Sequence, residues 1–327
     1  MSVAEALAAV LAAPDDLLVR LLYAEALDGQ SSGGDPRAEL IRVQCALVTE
    51  TDRSARIGLR ARATRLLREH GGVWRAPLRA AGADGEFRRG FVEKVRVPMW
   101  RGLPKGFAGL FEVEPVCDVE FGYAKTADGL RAFFATGLVK RLTHLRMSAA
   151  ASTLAALCAA EGAEGLRYLG LRGANLSAEG LALVAGSDRL AALESLCLAR
   201  LDDAGLATLS AGPRRWHALY LSSGRVTGQG VAAQCQTPAW EGLAVLCLNR
   251  CEEVDDAALV ALAASPASAA LRILELEGTA IGAAGARALV ASPYLTGLTR
   301  LRVRGTRAAK GATLKALRAR WPRAVIA

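Results

Sequence analysis

Leu166-Arg167-Tyr168-Leu169-Gly170-Leu171 is one instance of a Leu-x-x-Leu-x-Leu phrase that returns along most of the chain. The phrase starts at Val92, Val116, Leu142, Leu166, Leu193, Trp216, Leu243, Leu271 and Leu298, each time with apolar residues three and five positions on. The intervals are 24, 26, 24, 27, 23, 27, 28 and 27 residues. Self-similarity at that period marks a solenoid, in which each unit buries its apolar face only by stacking on its neighbours. Helical phrases such as Gly180-Leu181-Ala182-Leu183-Val184 and Ala258-Leu259-Val260-Ala261-Leu262 follow the strand phrases. Strand then helix, repeated with short joints, predicts a parallel sheet backed by helices. The strands are expected near 94–97, 118–121, 144–147, 168–171, 195–198, 218–221, 245–248, 273–276 and 300–303. Trp321, Ala324 and Ile326 repeat the spacing once more and suggest a closing turn.

The phrase and its period resemble the leucine-rich repeat of the ribonuclease-inhibitor type over residues 92–304. That resemblance implies a curved parallel sheet inside, helices outside, and a binding role carried by the sheet's concave face. Members of the family tie successive turns with Asn or Cys three residues after the last strand leucine. Here only Cys251, Thr279 and Thr306 among the nine such positions carry a suitable side chain, so the ladder is largely missing.

Ahead of the repeats, residues 2–12, a segment from Asp15 to about Leu27, and residues 36–48 read as helices. Asp15 is expected to cap the second helix, with Leu18, Leu21 and Leu22 on its apolar face, and Pro36 opens the third. Ala13-Pro14-Asp15-Asp16, Arg20-Leu21-Leu22-Tyr23-Ala24 and Gly34-Asp35-Pro36-Arg37-Ala38-Glu39-Leu40-Ile41-Arg42-Val43-Gln44 resemble the bacterial repeat-companion domain. Glu25-Ala26 stand where that family usually has Asp-Trp. The companion family implies an all-helical N-terminal cap domain and no activity. A fourth helix is expected over 52–70, with Ile57, Ala61 and Leu67 near one side, and an irregular connection over 71–90. The domains are therefore read as 1–50, a basic helix and connector over 51–90, and the solenoid over 91–327 with about nine repeats and a C-terminal cap.

Hydrophobic residues make up 52% of the chain and charged residues 22%, which places it among folded proteins. The net charge of +9 is uneven: residues 1–50 hold 3 basic and 8 acidic groups, residues 51–105 hold 14 and 5. The latter segment offers nucleic acid as an alternative partner, although no recognised nucleic-acid motif accompanies it. Seven cysteines without paired spacing read as reduced thiols, and Cys247 and Cys251 lack the companions of a zinc site. No window of 18 apolar residues suggests a membrane span, and the N-terminus lacks the basic start of a signal peptide. The expected compartment is the cytoplasm.

Alternation along a strand sends the leucines inward and the residues between them outward. The outward set begins with Lys94, Arg96, Asp118, Glu120, His144 and Arg146. The candidate binding face takes Tyr168, Arg172, Cys197, Tyr220, Val245, Cys247, Ile273, Glu275, Glu277, Arg300, Arg302 and Arg304. Its centre is apolar and its C-terminal end charged, which is the anatomy of a protein-binding patch. Nine strands span about 40 Å, the footprint of a protein. His144 is the one histidine expected on this face, and no nucleophile is placed beside it, so the reading is non-catalytic. No cofactor, metal or small-molecule substrate is indicated, and the expected partner is another protein.

Overall fold

In the computed structural model, all residues are described except 101–104, 125–127, 149, 174–175 and 327. The chain forms two compact units, 1–143 and 144–327. The first opens with helices α1 (Val3–Ala12), α2 (Leu17–Asp28), α3 (Pro36–Thr49) and α4 (Arg53–Glu69), then two short ones, α5 (Gly71–Trp74) and α6 (Ala76–Ala80). Each long helix starts on a side-chain oxygen. Ser2 and Glu5 form a capping box, and Asp16, Asp35 and Asp52 accept backbone N–H groups of the first turns. Strands β1 (Asp84–Arg88) and β2 (Phe91–Trp100), helix α7 (Phe107–Val113), strand β3 (Asp118–Ala124) and helix α8 (Asp128–Ala135) complete the unit. β1 pairs antiparallel with β2, and β2 parallel with β3.

The second unit alternates strand and helix. It runs β4 (His144–Ser148), α9 (Ala151–Ala159), β5 (Tyr168–Arg172), α10 (Ala178–Gly186), β6 (Ser195–Ala199), α11 (Asp203–Ala211), β7 (Ala218–Ser222) and α12 (Gly228–Gln234). Then follow β8 (Val245–Cys247), α13 (Asp256–Ala264), β9 (Ile273–Glu275), α14 (Ala283–Ala291), β10 (Arg300–Arg302), α15 (Gly311–Arg320) and β11 (Val325–Ile326). All neighbours from β4 to β11 pair in parallel and in sequence order. This is the leucine-rich repeat solenoid, and a strand forms at each of the nine expected phrases. Leu145, Leu169, Leu196, Leu219, Leu246, Leu274 and Leu301 stand opposite one another in register, every one fully buried.

One backbone feature sets where β5 to β10 end. Gly173, Arg200, Ser223, Arg250, Gly278 and Gly305 lie seven residues after their phrase starts and have φ between 55° and 76°. The left-handed turn redirects the chain away from the sheet. It is strain-free for glycine and costs about 1–2 kcal/mol elsewhere. The N–H groups of Ser223, Arg250 and Gly278 then donate to Asn249, Glu277 and Arg304 carbonyls of the next repeat, at 2.9, 2.7 and 2.9 Å. These bonds do the work of the missing asparagine ladder. Of the three suitable ladder side chains, only Cys251 reaches the previous repeat, its thiol donating to the Leu221 carbonyl. The Thr279 and Thr306 hydroxyls close their own turns on Leu276 and Val303. Asp203 and Asp256 add ties by accepting the N–H groups of Thr227 and Gly282.

Four expectations for the first unit are corrected. Residues 71–90 are not irregular: they hold α5, α6 and β1, the last reading as a loop because its Asp, Gly, Glu and Arg mask a single buried Phe87. Asp16 caps α2, whereas Asp15 pairs with Arg89 at 3.0 Å. On α2, Leu18 is 62% exposed because Arg20 and Ala24 hold the inward face. On α4, Ala63 and Leu66 are buried while Ile57 is exposed. Two arginines fix that rotation: Arg62 pairs with Glu39, and Arg56 donates to the carbonyls of Leu47 and Glu50 at the end of α3.

The polar residues of the companion motif hold the β1–β2 hairpin. Arg20 is fully buried; it pairs with Glu93 at 3.0 Å and donates to the carbonyls of Pro14 and Arg89. Arg37 Nη2 donates to both oxygens of Glu114, and Oε2 also accepts the Val92 N–H at 2.7 Å. Its guanidinium also lies over the rings of Trp74, Phe87 and Phe91. Gln44 grips the hairpin turn twice, accepting from Gly90 N–H at 2.7 Å and donating to the Phe87 carbonyl at 3.3 Å. Gly90 has φ 85°, and a Cβ there would lie 2.1 Å from Ile41. Removing Arg20 leaves the buried Glu93 to Arg89 alone, which holds both of its oxygens, and takes the side-chain donor from the Pro14 and Arg89 carbonyls. Arg20→Met should therefore cost about 1–3 kcal/mol in urea unfolding of the full chain; an unchanged midpoint would show that this network is not structural.

Candidate functional site

The register of the second unit sorts the outward side chains of β4 to β10 into two rows. One runs His144, Tyr168, Ser195, Ala218, Val245, Ile273 and Arg300. The other runs Arg146, Gly170, Cys197, Tyr220, Cys247, Glu275 and Arg302. Arg172, Asn249, Glu277 and Arg304 continue the sheet's edge beyond them. Tyr168, Cys197, Tyr220, Val245, Ile273, Glu275 and Glu277 are half-buried, and Arg172, Arg300, Arg302 and Arg304 are exposed. Cys247 and Ala218 lie deeper, at 4% and 3% exposure. The Cys247 thiol sits between Ser222 Oγ at 3.7 Å and Glu275 Oε2 at 3.6 Å, so its neighbours cover it.

The aromatic part of the face is built on an absent side chain. Gly170 occupies the second outward position of its phrase, where every other phrase has a side chain. A Cβ there would stand 3.0 Å from Arg146 Cγ and 3.2 Å from Tyr168 Cε1. Arg146 and Tyr168 lean together over this notch, with the guanidinium carbon 4.5 Å from the ring centroid. Tyr168 also stacks on His144, with centroids 5.5 Å apart at 22°, and lies 6.3 Å from the Tyr220 ring. Burial in this cluster, with Cys197 beside it, pushes the Tyr168 phenol up to about 12, so it stays a protonated donor at neutral pH. Burial raises Tyr220 as well.

At the other end Glu275 gathers the polar contacts. Its Oε1 lies 3.5 Å from Arg302 and 3.9 Å from Arg300, and its Oε2 accepts from Asn249 at 3.0 Å. Asn249 in turn accepts the Glu277 N–H at 2.8 Å. The sequence sets three arginines against two glutamates; the structure sets two arginines against Glu275 alone. Among the described residues Arg304 and Glu277 make no ion pair.

In the first unit, the outward positions of β2 and β3 are occupied by ion pairs. Lys94 reaches Glu86 at 2.8 Å and Arg96 reaches Glu120 at 3.2 Å. Asp118 and Glu120, expected outward, are buried, with arginines of β1 and β2 alongside them. Among the described residues no three His, Cys, Asp or Glu side chains converge in metal-binding geometry, and no helix is long and apolar enough to cross a membrane. All seven cysteines are free thiols.

No protein-family model and no curated protein matches the chain. Among solved structures it is similar to a chain of the yeast Rad7–Elc1 complex, at 14% identity and a TM-score of 0.42. That match covers 65% of this chain, which spans only 62% of the other. It is also similar to an internalin, InlF of Listeria monocytogenes, at 15% identity and a TM-score of 0.29, covering 72% and 86% of the two chains.

The Gly170 notch could have been read from the repeat alignment, because one outward position in nine lacks a side chain. It carries a consequence for stability. Gly170→Val forces branched carbons into the space that Arg146 and Tyr168 share, and should cost about 1–3 kcal/mol in urea unfolding; an unchanged midpoint would mean the notch is not filled by these two side chains.

Proposed function

We propose that the chain is a non-catalytic protein-interaction module whose partner protein seats on the outward rows of β4 to β10. One observation carries this reading. The parallel register brings Tyr168, Cys197, Tyr220, Val245 and Ile273, from five different strands, into one half-buried apolar field beside an arginine-rich end. Five strands span about 20 Å, which suits a protein surface rather than a small molecule. Side chains already packed on a sheet lose little freedom on binding, and tyrosines combine a large ring with a polar tip. Arg300 and Arg302, which face Glu275 beside that field, would fix the partner's orientation. Whether the module acts as scaffold, adaptor, sensor or inhibitor depends on that partner.

The helical residues 1–50 and the connector 51–90 are proposed as a cap on the array. The support is their grip on β2 and its hairpin through Arg20, Arg37 and Gln44. Free, mostly buried thiols fit a reducing, cytoplasmic setting. The alternative, a nucleic-acid-associated adaptor working through 53–105, draws on the exposed Arg53, Arg60, Arg65 and Arg68 of α4, while Arg56 and Arg62 are engaged within the unit.

The partner can be captured by pull-down of the whole protein from its own cell extract and read by mass spectrometry. Against that partner, Tyr168→Ala and Tyr220→Ala should each cost about 1–3 kcal/mol of affinity with melting close to the parent. Full affinity in the double variant would move the site off this face.

A further inference from the structure

The chain's positive charge has a second and denser source than the segment after the helical module. Residues 278–327 contain eight arginines and two lysines and no aspartate or glutamate. The other 277 residues hold 31 cations against 32 side-chain carboxylates, because the basic surplus of 51–105 is offset by acidic residues elsewhere. All ten cationic residues are exposed. They lie on α14, on the outward side of β10, in the turn after it, on α15 and just before β11, which together make up the last repeat and its closure. Among the described residues only Arg300 and Arg302 lie within ion-pair distance of a carboxylate, and both share Glu275. Among the described residues the other eight make no ion pair. Arg304, Arg307 and Lys310 line one recess of about 450 Å³ with Gly305, Thr306 and Leu314.

We infer that this end of the solenoid docks the phosphodiester backbone of a nucleic acid, as a second surface beyond the apolar field proposed for the protein partner. Eight like charges without an ion-pair partner repel one another, and only a partner of uniform opposite sign relieves all of them at once. A folded protein presents both signs on its surface. A phosphodiester chain presents one anion per nucleotide whatever its sequence. Arginine, eight of the ten, fits phosphate oxygens through its planar fork of donors. Neither ring of this stretch is exposed: Trp321 is buried, with its indole N–H donating to the Leu295 carbonyl at 2.9 Å, and Tyr294 is half-buried. Without stacking platforms the binding reads charge and spacing, not bases. A membrane surface would call for apolar anchors among the cations, and Val325 is the one large hydrophobic side chain exposed here.

The test uses the full chain and a fluorescein-labelled duplex DNA of about 20 base pairs and arbitrary sequence, followed by anisotropy. Binding should be indifferent to sequence and should weaken by roughly 10³-fold between about 50 and 200 mM salt. Arg304→Glu, Arg307→Glu and Lys310→Glu together should lower affinity by roughly tenfold or more. Arg53→Glu, Arg60→Glu and Arg65→Glu on α4 should leave it within about twofold. All six positions are exposed, and melting curves check that each variant folds. Absence of binding at about 100 mM salt would overturn the inference, as would loss in the α4 variant with none in the C-terminal one. Tighter binding to polyglutamate, or to phosphatidylserine vesicles, than to the duplex would overturn it in favour of an acidic protein segment or a lipid surface.

Discussion

The structure depends on one constraint, the burial of a leucine row that crosses the sheet in register. Leu145, Leu169, Leu196, Leu219, Leu246, Leu274 and Leu301 come from seven repeats and none is exposed. No single repeat could bury its own leucine, so the row exists only when the strands stack in order and without slippage. Once it is fixed, strand alternation leaves no choice about the other side chains. The residues on either side of each leucine must face outward, and they must line up with their counterparts in the neighbouring repeats. The candidate site is thus a by-product of the core: its two rows are the complement of the leucine row.

What the rows can do is then set by local chemistry. At the β4–β7 end the missing side chain of Gly170 lets an arginine and a tyrosine share one notch, which converts a ridge of side chains into a continuous aromatic field. At the β9–β10 end one glutamate serves two arginines and an asparagine, and the cations beyond it have no carboxylate of their own. Between them Cys247 is tucked under its neighbours, so the field is continuous but not uniform in depth. The left-handed turns that end β5 to β10 send the chain away from the sheet after the same number of residues in each of those six repeats.

Much of this was legible in the sequence. The period and the phrase located nine strands, because a repeated apolar pattern reports burial directly. The alternation placed the outward residues, because the pleat has a fixed period of two. Residues whose role depends on a distant partner were not legible. Arg20 reads as a surface charge on an amphipathic helix, and only Glu93 and the carbonyls of Pro14 and Arg89 make it a core residue. β1 was missed because its pairing with β2, not its composition, makes it a strand. Ile57 and Leu18 were placed inward by type, while the arginines Arg62 and Arg20 decide which faces of α4 and α2 turn in. The acid-free C-terminal stretch is plain in the sequence, but acidic residues elsewhere in the repeats offset it in part when the solenoid is counted as a whole.

Inward and outward positions on one strand differ wholly in what they contribute. Leu219 and Tyr220 are adjacent on β7, the first fully buried and the second half-buried on the face. Urea unfolding of the full chain carrying Leu219→Asn or Tyr220→Asn compares them directly. Asparagine at 219 loses the leucine's packing and buries an amide without partners, and should cost about 3–5 kcal/mol. At 220 the loss should stay near about 1 kcal/mol. Equal losses, or the larger loss at Tyr220, would contradict the alternation on which both the core and the candidate site rest.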